Sequence, residues 1–143
     1  MSIEENKSVV RRYREIHNRG KLDELDAIVA ADLVSHSLLP GLPPGLAGGK
    51  IAHQGFAMSF PDIQTTTEAL VAEGDIVVER YSAHGTHTGT PFMGAPASGK
   101  AFKIETVVTY RLVNGKIVEM WGLNDGVSLM MQLGMMPTPS VAP

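Results

Sequence analysis

The sequence predicts an α+β fold in which helices pack on one face of an antiparallel sheet. Three observations carry this. The first sixty residues place apolar side chains at helical spacing, and residues 64–124 change to β-branched, partly alternating runs broken by turns. Asn114-Gly115 lies between two such runs and is the strongest short hairpin signal. Helices followed by a strand meander is the pattern of α+β domains.

The elements follow in order. Ser2 stands three residues before Glu5, the capping-box spacing, and opens a helix whose apolar stripe is Val10, Tyr13 and His17, widened by Val9 and Ile16. Gly20 in "NRG" supplies its left-handed stop. A short second helix is expected through "LDELDAIVAADL", residues 22–33. "HSLLPGLPPGLAGG", residues 36–49, holds too much proline and glycine to be regular. A third helix is expected from Lys50 to Phe60, stopped by Pro61, with His53, Phe56 and Phe60 on one face. Strands then occupy 64–89, 100–113 and 115–124, and a last short helix covers "GVSLMMQLG". A single domain over 1–134 is expected, followed by a flexible tail over 135–143, where "MMPTPSVAP" is proline-rich.

Composition narrows the class. The chain has 143 residues, 43% hydrophobic and 19% charged, enough for one packed core without staples. A net charge of −3 argues against nucleic acid or an anionic membrane as the partner. Cysteine is absent, which removes disulfides, thiolate metal sites and a cysteine nucleophile. The first residues are charged and amphipathic rather than a signal peptide, and no apolar run approaches the ~20 residues of a membrane span. The expectation is a cytoplasmic protein.

The segment "HGTHTGTPFMGAPASGKAF", residues 84–102, tests two chemistries. His84 and His87 lie three apart, so on a continuing strand they face opposite ways and cannot meet on one metal ion. No helix follows Gly99 to present an N-terminus to phosphate. The segment reads as strand, long hairpin loop, strand, with no metal site.

"DIVVERYSAHGTHTGTPFMGAPASGKAF", "NGKIVEMWGLND" and "MQLG", together with "NKSVVRRYREIHNRGKLDELDAIVAADLVSH" and "FPDIQTTTEALVAEGDIVV", resemble the SnoaL-like polyketide cyclase family. The resemblance runs from Asn6 to Gly134 with few gaps. That family belongs to the nuclear-transport-factor-2-like superfamily. It implies a curved antiparallel sheet wrapped on three helices, a cystatin-like α+β barrel or cone with an internal apolar pocket. It further implies a small hydrophobic ligand, intramolecular aldol chemistry without metal or organic cofactor, and a homodimer or tetramer through the outer sheet face. The family's catalytic aspartate aligns with Gly122 and its histidine with Val108, so the cyclase acid/base pair is missing here.

Substitutes for that pair are expected among residues near the pocket. Asp125 is either an acid/base or the N-cap of the last helix. His36, after the second helix where many relatives carry histidine, is the other catalytic candidate. His17, His53, Phe56, Phe60, Val108, Tyr110, Met120, Trp121 and Gly122 are expected to line the pocket, Tyr110 also offering a phenol donor. Met130, Met131, Met135 and Met136 either shape the cavity or pack the core. Arg80 and its neighbour Glu79 face oppositely on a strand, so a surface salt bridge is the expectation there. Glu105 should face outward, because Ile104, Thr106, Val108, Tyr110 and Leu112 form the apolar parity.

Overall fold

The computed structural model describes residues 1–140. Helix α1 spans Ile3–Arg19 and begins in the expected capping box, with the Glu5 amide donating to Ser2 Oγ at 3.1 Å. It ends at Gly20, whose φ of 67° is the left-handed stop. Its buried side is Asn6, Val10, Arg14 and Ile16.

The second predicted helix does not form. Leu22–Ala27 is a 3₁₀ turn, and Val29–Ser35 is a strand, β1. Leu22, Leu25, Ile28, Val29 and Leu33 are buried in the main core. Extended backbone also lets 29–35 complete a sheet edge, a tertiary gain that local helical spacing does not anticipate. Helix α2 runs over Gly45–Ser59, five residues earlier than expected, because Pro44 fixes an extended entry at φ −69°.

The remaining strands are β2 (Gln64–Glu73), β3 (Ile76–Thr86), β4 (Ala101–Val113) and β5 (Lys116–Asn124). Helix α3 is Gly126–Gln132. The sheet order is β1-β5-β4-β3-β2. β2 to β5 form the expected antiparallel meander, while β1 joins β5 in parallel, so the sheet is mixed. It is curved but does not close into a barrel. The β4–β5 turn uses Asn114 at φ 49° and Gly115 at φ 77°, the primed geometry that matches strand twist.

Helices cover one face. The main cluster joins Val10 and Ile16 of α1 to Val77, Val108, Tyr110, Leu112 and Ile117 of the sheet. A second cluster gathers Phe60, Ala83, Phe102, Ile104, Leu129 and Leu133 at the other end. His84 and His87 belong to a strand end and a loop, as expected: His84 pairs in register with Lys103, and buried His87 bonds the Thr90 carbonyl at 3.0 Å. No helix among the described residues is long and apolar enough to cross a membrane. Of the tail expected to be flexible, residues 141–143 lie outside the described residues.

Candidate active site

The two clusters leave space between them. Two adjoining hollows, of about 180 and about 270 Å³, lie between α1, α2 and the inner face of the sheet. They share six wall residues: His17, His53 and Phe56 from the helices, and Tyr81, Thr106 and Asn124 from the strands. Tyr81 pairs directly with Thr106, and Thr106 with Asn124. These three therefore form one row across β3, β4 and β5, facing two imidazoles. Away from this waist the walls are mainly apolar: Ile63, Phe102 and Ile104 on the smaller side, Leu33, Val108 and Met120 on the larger. A third hollow of about 580 Å³ lies between β1 and the 38–45 loop, but Asp32 is its one titratable wall residue. The inner cleft is where polar groups converge.

His17 is built into α1. Its Nδ1 lies 2.8 Å from the Tyr13 carbonyl one turn back. A carbonyl can only accept, so the proton sits on Nδ1 and the Nε2 lone pair is left free. Burial, with Arg14 and His53 nearby, pushes its pKa down to about 3 against the pull of the Tyr13 carbonyl. His53 of α2 meets it edge-to-face, with ring centroids 4.6 Å apart. Burial first, and the Arg14 charge second, also lower the His53 pKa. Both rings are neutral at neutral pH, which makes them proton acceptors.

Beneath the cleft lies a charged network that the sequence reading missed. Glu79 is fully buried, and its carboxylate accepts from Arg14 Nη2 at 2.9 Å, Arg14 Nε at 3.1 Å, Thr67 Oγ1 at 2.6 Å and Tyr110 Oη at 2.8 Å. Burial alone would raise the Glu79 pKa; the Arg14 hydrogen bonds and charge, with Thr67 and Tyr110, hold it below the ordinary value. The Arg14 guanidinium lies 3.6 Å from the Tyr81 ring centroid, a cation–π contact that fixes this wall residue from behind. The expected surface salt bridge exists only for Arg80, which meets Glu105 at 2.7 Å on the outer face. A signal for Glu79 was available: Val77, Glu79, Tyr81 and Ala83 share one strand parity.

The structure sorts the expected site residues into two groups. His17, His53, Phe56, Val108, Met120 and Gly122 come together on the cleft. The others do not. Phe60 is fully buried among Phe56, Phe92 and Phe102, one residue past α2 and too deep to line the space. Tyr110 is spent on Glu79. Trp121 lies on the outer face and stacks on His36 with centroids 4.9 Å apart, since it alternates with inward Gly122. His36 is exposed there too, its Nε2 2.6 Å from Glu119. Asp125 caps α3 by accepting the Ser128 amide at 3.2 Å. Neither proposed catalytic residue reaches the cleft. Tyr81 and Asn124 are not among the expected site residues, and Thr106 is expected only as part of the apolar parity of β4, because their meeting depends on strand register.

A model of the SnoaL-like polyketide cyclase family matches residues 7–133. The chain belongs to that family. Among solved structures, it is similar to IdmH from Streptomyces antibioticus, described provisionally as a polyketide cyclase, at 32% identity and TM-score 0.80, over 90% of this chain and 98% of that one. AclR from Streptomyces galilaeus, described provisionally as a hydroxylase, matches at 27% identity and TM-score 0.84, over 97% and 87% of the two chains. TsrD from Streptomyces laurentii has TM-score 0.86 at 24% identity, over 95% and 99%, and supports the fold. No curated protein matches the chain.

In this SnoaL-like chain, Val108 and Gly122 are direct cross-strand partners on the wall of the larger hollow. The positions that the resemblance assigns to an acid/base pair thus sit side by side, without ionisable groups. Ser37 closes over them: the Gly122 amide donates to Ser37 Oγ at 2.7 Å, and a side chain at 122 would meet that oxygen at 3.0 Å.

Proposed function

We propose that the chain is an enzyme of the cyclase type that moves a proton on a hydrophobic carbonyl compound, with His53 as the base. The observation that carries this reading is the neutral His17–His53 pair at the waist of an otherwise mainly apolar cleft. His53 has no hydrogen-bond partner among the described residues, whereas His17 has already committed Nδ1. A ring nitrogen of His53 takes the proton α to the carbonyl, and the C–H electron pair shifts to form the enolate. The protonated ring then returns its proton to the enolate carbon or oxygen; alternatively the enolate carbon attacks a second carbonyl, whose π pair moves to its oxygen, and the ring gives its proton to that alkoxide. The chemistry draws on side chains of this chain alone. Exposed Val107, Trp121 and Leu123 on the outer sheet face support assembly into a homo-oligomer there.

The loss of an ionisable pair at Val108 and Gly122 favours a second reading, a pocket that binds without turnover. Deuterium exchange separates the two. Dibenzyl ketone in heavy water should lose its α-proton signal faster with the protein than without it, and His53→Gln should abolish the acceleration. Because the His53 pKa is lowered and the base must be unprotonated, the acceleration should persist below pH 6.5 and fall only in more acidic solution. Saturable binding with no His53-dependent exchange establishes the binding reading instead.

A further inference from the structure

We infer that Tyr81, Thr106 and Asn124 form a docking row for a carbonyl or enolate oxygen placed in the middle of an elongated ligand, with hydrocarbon on both sides. This rests on the proposed proton transfer and adds to it the partner of the base: the group that receives the charge as the α-proton leaves.

The register sets the row. Tyr81, Thr106 and Asn124 occupy consecutive cross-strand positions, so their side chains emerge at one level on the inner face. All three belong to the wall common to both hollows, opposite His17 and His53. Thr106 is 8% exposed, yet among the described residues its hydroxyl has no hydrogen-bond partner, nor have the Tyr81 hydroxyl and the Asn124 amide. The one buried side-chain atom left unpaired among the described residues is Asn6 Oδ1, near the start of α1. The Tyr81 and Thr106 hydroxyls are not such atoms and so reach open space, and Asn124 is an exposed residue at the end of β5. A hydroxyl, a phenol and an amide are all donors, suited to an oxygen on which negative charge develops.

The flanks say where that oxygen lies in the ligand. Phe102, Ile104 and Ile63 wall one hollow, Leu33, Val108 and Met120 the other, and neither trio offers a side-chain hydrogen bond to an oxygen. The two hollows are not wholly apolar: Asn18 and Thr65 in the smaller are bonded to each other, and Tyr13, Ser35 and Ser37 stand on the larger, with Ser37 Oγ taken by the Gly122 amide. Three side chains without partners meet at one level only in the row, so a central oxygen meets it while the hydrocarbon on both sides is buried. The Tyr81 ring is held in place from behind by Arg14, so this end of the row is set before a ligand arrives.

Three probes test this by NMR titration: dibenzyl ketone, with a central carbonyl; its hydrocarbon analogue diphenylpropane; and the isomer biphenylylacetone, whose carbonyl is terminal. Dibenzyl ketone should bind the native chain about tenfold more tightly than either of the others, the worth of one or two well-placed hydrogen bonds. Thr106→Val, which keeps shape, and Tyr81→Phe should each shrink that preference to about twofold while leaving diphenylpropane affinity unchanged. Asn124→Leu, at the exposed strand end where folding is least at stake, is the third variant. Equal affinity for ketone and hydrocarbon in the native chain, preference for the terminal ketone, retention of the preference in all three variants, or no binding of any probe overturns the inference. If the preference is absent but His53-dependent exchange persists, the row fails and the proton-transfer reading stands. If the preference is present without exchange, the row stands in a binding protein.

Discussion

Glu79 and Arg80 are neighbours in sequence, and each forms an ion pair at nearly the same distance: Arg14–Glu79 at 2.9 Å and Arg80–Glu105 at 2.7 Å. Strand alternation sends them to opposite faces. On the inner face, the side chains of Arg14 and Glu79 are 9% and 0% exposed; on the outer face, Arg80 and Glu105 are 47% and 61% exposed. Water screens the outer pair and can replace either partner. Inside, nothing replaces a lost partner, and the cost of leaving a charge stranded dominates. Distance therefore says little about what an ion pair contributes; the face of the sheet decides.

The contrast is easiest to break at Glu79. Glu79→Gln leaves the Arg14 charge buried without its counterion and should cost about 3–5 kcal/mol in urea unfolding. A cost below that of Arg80→Ala on the outer face would refute the contrast between the two pairs. Removing Arg14 and Glu79 together for apolar residues should recover part of the loss, because no charge is then stranded.

Acid should also strike the inner face first. The His17 pKa is pushed from 6.5 to about 3 in the folded chain, so between those values the unfolded chain binds the extra proton. Stability due to this group is fully present above pH 6.5 and declines as pH falls, by roughly 1 kcal/mol per pH unit. Lowered His53 adds to the same slope. Glu79, held below its ordinary value, adds its own loss only at lower pH, as the solution passes below the normal carboxylate range. His17→Phe should flatten the curve between pH 6 and about 4 in chemical denaturation; an unchanged slope would mean that the ring is not held neutral.

Smaller effects sharpen the same distinction. Asp125→Ala removes the α3 cap and should cost about 1 kcal/mol without altering ligand binding or exchange. Any loss of exchange beyond that of stability would return Asp125 to the site. Arg80→Ala on the outer face should change stability by no more than about 0.5 kcal/mol, and less in high salt.

Legibility in the sequence followed the range of the interaction involved. The capping box at Ser2 and Glu5, the stop at Gly20, the Asn114-Gly115 hairpin and the inward parity of Ile104 to Leu112 are local, and each formed as read. The 22–33 segment was misread because helical spacing and a half-buried edge strand look alike over a dozen residues, and only pairing with β5 separates them. Within the site, His17 and His53 were visible as histidines on apolar helix faces. His36 and Asp125 were favoured on resemblance and strand position, and both lie outside the cleft. Strand alternation separates Glu79 from Arg80, which points to a surface salt bridge, whereas the partner that buries Glu79 stands 65 residues away.

The order of residues alone determined the fold class, the family and the absence of an ionisable pair at positions 108 and 122, since these depend on local spacing and on residue identity. Tertiary structure alone decided which polar groups meet. Tyr81, Thr106 and Asn124 stand in one row only through strand register, and His17 faces His53 only because two helices cross the same sheet face. Register and helix docking are set by the packing of the whole core, and a single residue's chemistry carries no record of who its neighbour across the sheet will be.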